Sequence, residues 1–133
     1  MHHSYLALSN VAFFTSLIQA SPGELHSRST VETCLIANNV TYAVPTSENW
    51  TTLSTPYNLR LVYEPAVITI PKTQDQVSSS VLCAADAGLK VQAKSGGHSY
   101  ASYSSGGQNG SLIIDLEKFS LIEVDQSKHN LGI

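Results

Sequence analysis

Two adjacent glycines stand directly before a histidine in the stretch Lys94-Ser95-Gly96-Gly97-His98-Ser99-Tyr100. Without a Cβ, Gly96 and Gly97 can both take a positive φ and turn consecutive N–H groups inward, a nest suited to a pyrophosphate. His98 then presents a nucleophilic ring beside the bound anion. A ligand-free Gly-Gly turn has the same composition, so the surrounding elements must decide between the two. Lys94 reads either as an attraction for phosphate or as an exposed strand-end lysine, and Tyr100 and Tyr103 either as packing beside an aromatic ligand or as loop packing. Asp115 follows an apolar run and reads either as a group approaching the ligand or, the favoured reading, as a strand-terminal hydrogen-bonding residue. Asp75 and Asp86 are expected to be solvent-facing or capping charges rather than a catalytic pair. No residue is assigned as catalytic. No metal site is expected either, because the two cysteines lack metal-site spacing and the five histidines contain no H-x-x-x-H pair.

The segment that positions this loop changes period twice. Pro65-Ala66-Val67-Ile68-Thr69-Ile70-Pro71 is a β-branched run closed by a proline at each end, which predicts a buried strand. Thr73 with Gln76 three residues later predicts a capping box, and Val77, Val81, Ala84 and Ala85 recur on one face of the helix that follows. Gly88 stops that helix as its C′ residue, and Leu89 to Ala93 returns to a strand, so the glycine loop follows a strand-helix-strand unit directly. Ala101 to Gly110 is rich in turn residues and predicts a mobile loop. Leu112 to Leu116 predicts a strand buried on both faces, and Leu121 to Asp125 a half-buried one. Upstream, Val31 to Ala37 is an apolar helical segment with Ser29 and Thr30 as candidate caps, and Tyr42 to Thr55 has no period and reads as a connection.

Tyr57-Asn58-Leu59-Arg60, the Pro65 to Pro71 strand, the Thr73 to Ala87 helix, Ser95-Gly96-Gly97-His98-Ser99-Tyr100 and Leu112-Ile113-Ile114-Asp115-Leu116 follow one another in an order that resembles an FAD-linked oxidase of the vanillyl-alcohol-oxidase superfamily. The likeness is to its berberine-bridge-enzyme-like and oligosaccharide-oxidase branch and covers about Thr30 to Asp125. It implies an α+β fold: the N-terminal subdomain of a p-cresol methylhydroxylase-type FAD-binding domain, a strand-helix-strand unit with a small mixed sheet. It also implies FAD as cofactor, with Ser95, Gly96, Gly97 and Ser99 on the pyrophosphate and His98 bonded to the 8α-methyl of the flavin. A pair placed like Cys34 and Cys83 is a disulfide in that family; the alternative is two separate buried thiols. On the helix, Cys83 falls roughly 150° from the centre of the Val77/Val81/Ala84/Ala85 face and is expected to point away from the sheet.

The family pattern continues well beyond this chain with a second cysteinyl flavin link, a further FAD segment, a substrate domain and a catalytic tyrosine or carboxylate. The expectation is therefore an N-terminal fragment, with residues 129–133 outside the fold and weak or absent FAD binding by the chain alone. Residues 1–20 read as a signal peptide, 21–56 as an N-terminal helical and connecting segment, and 57–133 as a partial FAD-binding domain. The apolar run from Tyr5 to Ile18, followed by Ala20 and Pro22, is too short to span a bilayer and suits cleavage after about Ala20. The sequons at Asn39, Asn49 and Asn109 agree with a secreted protein and are its candidate glycosylation sites, with Asn109 disfavoured by its nearness to the loop. A net charge of −3 gives no basic footprint for nucleic acid. No membrane association is expected once the leader is removed. Two functions follow: the FAD-binding part of a secreted oxidoreductase that oxidises an alcohol or sugar with dioxygen, or a secreted, non-catalytic glycoprotein without tight flavin binding.

Overall fold

The computed structural model describes residues 22–120, 123–125 and 130–132; the expected leader and cleavage point lie outside them. Helix α1 (Pro22–Ala37) leads to β1 (Tyr42–Ala43), a short helix α2 (Trp50–Ser54), β2 (Val67–Thr69), α3 (Gln74–Asp86), β3 (Val91–Lys94), a 3₁₀ turn at Tyr103–Ser105, and β4 (Leu112–Asp115). These four strands form one mixed sheet in the order β1-β2-β4-β3, with β1 antiparallel to β2 and both β2 and β3 parallel to β4. The unit β2-α3-β3 is thus split, because β4 enters between its two strands. That insertion leaves β3 at the sheet edge, where its carboxyl end opens into the glycine loop.

Burial follows from this order. All four residues of β4 are buried, as are Val67, Ile68 and Thr69 of β2, whereas β3 alternates exposed and half-buried positions. Val31 and Leu35 of α1, Cys83 and Ala84 of α3, and Val67, Leu112 and Ile114 of the sheet make one core cluster. Ile68 and Ile113 are paired in register and point to the opposite sheet face by strand alternation. The Tyr42 hydroxyl on β1 donates to Glu32 of α1 at 3.4 Å, and its pKa is raised, chiefly by burial and then by the nearby Glu32 charge.

Several local expectations are corrected. Helix α1 begins at Pro22, so Ser29 and Thr30 lie inside it instead of capping it. The Thr73 hydroxyl does accept from Gln76 N at 3.2 Å, but the Gln76 carbonyl oxygen takes the Lys72 N–H at 2.7 Å and its amide donates to Asn39 O at 2.8 Å. The reciprocal half of the capping box is displaced by one residue, and the glutamine ties α3 to the end of α1. The buried residues of α3 are Ser80, Cys83 and Ala84, while Val81 is 43% exposed and Ala85 is exposed. The inward face is therefore turned by about a quarter of the helix circumference from the apolar pattern. The reason is α1: it packs along α3, making the predicted outer side of Cys83 an interior position. Cys34 and Cys83 form a disulfide there, with Cα atoms 5.6 Å apart.

Gly88 has φ +68 as expected of a C′ residue, with Leu89 N bonded back to Ala84 O at 2.8 Å. The stretch from Tyr42 to Thr55 contains β1 and α2 and is more than a connection. Asn130–Gly132 pairs antiparallel with Glu123–Asp125 as β6 and β5, so part of the segment expected outside the fold is paired. In the loop from Ala101 to Gly110, the 3₁₀ turn buries Ser102 and Ser105. Asn109 accepts from Glu64 N at 3.0 Å and Gly110 N donates to Glu64 O at 2.8 Å, tying this loop to the chain just before β2.

Candidate cofactor site

The glycine loop leaves β3 at Lys94, whose register partner on β4 is Asp115. Parallel pairing puts both side chains at the same end of adjacent strands. Lys94 Nζ lies 2.9 Å from Asp115 Oδ2, and the carboxylate is almost fully buried. The same ammonium donates to Leu53 O at 3.0 Å, drawing the last turn of α2 against the base of the loop. Asp115 also accepts from Glu117 N at 3.1 Å, the strand-terminal role expected of it. Lys94 is thus neither a free phosphate anchor nor an exposed lysine: its charge is matched within the fold. Asp75 and Asp86 are exposed, as expected.

Beyond Lys94 the two glycines do different work. Gly97 has φ +75, the left-handed region that favours glycine, whereas Gly96 does not take a positive φ, contrary to the expectation for both. Gly96 is needed for space. A Cβ there would lie 2.7 Å from His98 Cδ2 and 2.8 Å from His98 Nε2, so the imidazole rests against bare backbone. The Nδ1 side of the ring lies farther from that point. Ser95, Gly96 and His98 are exposed and Gly97 and Ser99 half-buried, all within reach of a ligand.

The opposite wall comes from residues to which sequence reasoning gave no role. Thr55, Pro56 and Tyr57 face Lys94, Gly96, Gly97, His98, Ser104 and Ser105 across a concavity of about 230 Å³. Tyr57 meets both His98 and Tyr100 edge-on, with ring centroids 5.8 Å and 5.4 Å apart. Tyr100 therefore packs against a neighbouring ring, although 76% of it is exposed. Among the described residues no cluster of His, Cys, Asp or Glu could hold a metal ion, and no helix is long and apolar enough to cross a membrane.

A family model described as an FAD binding domain matches residues 65–131, half of the chain, and includes the whole glycine loop. The chain belongs to this FAD-binding domain family. FAD is the cofactor of the family, and the α+β fold with its small mixed sheet is the one found in the solved oligosaccharide oxidases. Glucooligosaccharide oxidase of Sarocladium strictum is 38% identical over 112 residues, covering 84% of this chain and 22% of the relative. Chitooligosaccharide oxidase of Gibberella zeae is 42% identical over 97 residues, covering 73% and 20%. The structure of xylooligosaccharide oxidase from Myceliophthora thermophila, in complex with xylobiose, superimposes with a TM-score of 0.72 at 38% identity over 77% of this chain and 22% of that one. Glucooligosaccharide oxidase from Acremonium strictum, with a TM-score of 0.70 and 39% identity over 73% of this chain and 20% of that one, is described with a 6-S-cysteinyl, 8α-N1-histidyl FAD. The chain spans about a fifth of the length of these relatives.

Proposed function

We propose that this chain forms the flavin-attaching part of a secreted oxidase that acts on an oligosaccharide or related alcohol and uses dioxygen as electron acceptor. The observation that carries the reading is the His98 ring lying against side-chain-free Gly96 at the edge of a concavity, within a chain of the FAD-binding family. The residues present fit the cofactor. Bare backbone at Gly96 and Gly97 allows close approach of a pyrophosphate, with Ser95 and Ser99 flanking it as polar contacts, and the adjacent imidazole has a nitrogen, Nδ1, away from the Gly96 backbone. When bound, FAD supplies the ring system that takes a hydride from a substrate C–H and returns the electrons to dioxygen.

His98 is the residue of attachment. Its imidazole would hold the bound flavin through a nitrogen bonded at the 8α carbon, with one methyl proton and the imidazole N–H proton lost and the two electrons passed to dioxygen as hydrogen peroxide. Ser95, Gly96, Gly97 and Ser99 hold the pyrophosphate, and the Lys94–Asp115 pair with its bond to Leu53 fixes the base of the loop. Secretion is supported by the apolar leader and by the sequons. Asn39 is exposed beyond the end of α1 and Asn49 is exposed before α2, so both can carry glycan; the Asn109 amide is already bonded to Glu64 N.

The test is acid precipitation of the protein as its gene encodes it, after expression with FAD available. Proteolysis of the pellet is expected to give a flavin-bearing peptide that contains His98 in wild type and none at that position in His98→Ala, and oligosaccharide is expected to elicit hydrogen peroxide. A wild-type pellet whose flavin is found on no peptide containing His98 removes this histidine from its role. Lack of peroxide with glucose-, xylose- and chitin-derived oligomers overturns the substrate class.

A further inference from the structure

The His98 imidazole lies against Gly96 and Tyr57, and of these only Gly96 belongs to the glycine loop. Tyr57 also lies outside the residues that the family model matches. Its ring meets His98 at an interplanar angle of 80° and Tyr100 at 88°, the edge-to-face arrangement favoured by the aromatic quadrupole. The backbone beside it is fastened to the same loop. Asn58 Nδ2 donates to Tyr100 O at 2.7 Å, its Oδ1 accepts from Arg60 N at 3.1 Å, and Ser102 Oγ donates to Asn58 O at 3.4 Å. At the other end of this short segment, Leu53 O is held by Lys94. The segment from Leu53 to Asn58 is therefore tied down on both sides of Tyr57.

Among the described residues Tyr57 is 57% exposed, so packing into the core of this chain does not explain the tether. An exposed histidine following a residue at φ +75 would otherwise sample several rotamers, and only those that present a ring nitrogen at the right place can react. We propose that Tyr57 is a positioning residue for flavin attachment: its ring holds the His98 imidazole against Gly96, in the orientation from which the nitrogen reaches the 8α carbon. The inference rests on the attachment role of His98 given above. The contact needs the aromatic ring and makes no use of the phenol hydroxyl, and removing it lets the imidazole turn away without disturbing the sheet.

The experiment follows attachment over time. Protein as its gene encodes it is produced under riboflavin limitation, mixed with FAD, and sampled for flavin covalently bound to the peptide that contains His98, alongside Tyr57→Phe and Tyr57→Ala. Attachment by Tyr57→Phe is expected at the wild-type rate and by Tyr57→Ala about tenfold more slowly, with the melting temperature and the affinity for non-covalently bound FAD unchanged. Wild-type kinetics in Tyr57→Ala overturns the inference alone, provided the flavin of wild type is found on the peptide that contains His98. A parallel fall of melting temperature, FAD affinity and attachment in Tyr57→Ala also overturns it, since that pattern marks support of the fold. A slow Tyr57→Phe transfers the effect to the hydroxyl and overturns the ring-contact account. Wild-type protein with no flavin on the peptide that contains His98 refutes the attachment role of His98 and the positioning role together.

Discussion

Alanine at Gly96 and at Gly97 should produce opposite defects, although the two glycines are neighbours. At Gly97 a Cβ has room, its nearest neighbour being Lys94 Cε at 3.4 Å, but φ is +75. Holding an L-residue in the left-handed region costs roughly 1–2 kcal/mol, and the stiffer unfolded chain offsets about 0.4–1 of it. A net loss of about 1 kcal/mol is expected. At Gly96 the backbone is not in that region, but the Cβ would lie 2.7 Å from the His98 ring, which must withdraw by about 0.7 Å to reach ordinary contact at 3.4 Å. The ring is exposed and can move, so the fold loses nothing and gains up to about 1 kcal/mol from the unfolded state. The reacting nitrogen, however, is displaced by a distance that typically slows a positioned reaction on the order of ten- to a hundredfold. Denaturant unfolding of both variants, with acid-precipitable flavin followed over time, separates the effects. Wild-type attachment kinetics in Gly96→Ala would refute the idea that this glycine makes room for the histidine, and unchanged stability in Gly97→Ala would refute the strain argument.

Replacing Cys34 and Cys83 together by alanine should destabilise the protein by about 4 kcal/mol in the chain-entropy model, because the bridge closes a sequence separation of 49 residues; denaturant unfolding under non-reducing conditions checks it. Asp115→Asn should cost roughly 2–3 kcal/mol, less than a fully buried pair because Lys94 is 18% exposed and keeps its bond to Leu53, and a loss below about 0.5 kcal/mol in thermal unfolding would contradict that estimate. Protein exported from its host should begin near Ser21 and lose mass on glycosidase treatment through Asn39 or Asn49; an intact Met1 without a mass shift would point to an internal location. The raised pKa of Tyr42 means that its neutral form is favoured in the fold, so its contribution to stability is present below about pH 10 and is lost as pH rises further, which a Tyr42→Phe comparison of alkaline unfolding tests.

The strand from Val67, the helix from Gln74, the Gly88 stop and the glycine loop were legible because each depends on local chemistry: β-branching between prolines, a threonine cap, a left-handed C′ glycine, and residues without a Cβ before a histidine. The full burial of Leu112 to Ile114 was likewise written in an apolar run. Contacts between distant segments were not. Lys94 has no local signal for a partner, and only the parallel register of β3 with β4 sets it opposite Asp115. The inward face of α3 was misread because its apolar spacing carries no trace of α1, which covers the side holding Ser80 and Cys83. Tyr57 stands 41 positions before His98 and enters no periodic pattern, so its place beside the imidazole depends on how the segment after α2 is tied to the ends of β3 and the 3₁₀ turn. Sequence alone determined which groups could meet a flavin, since that depends on residue type and backbone freedom. The tertiary structure decided which side chains hold the histidine in place, since that depends on chain segments meeting through strand register and helix packing.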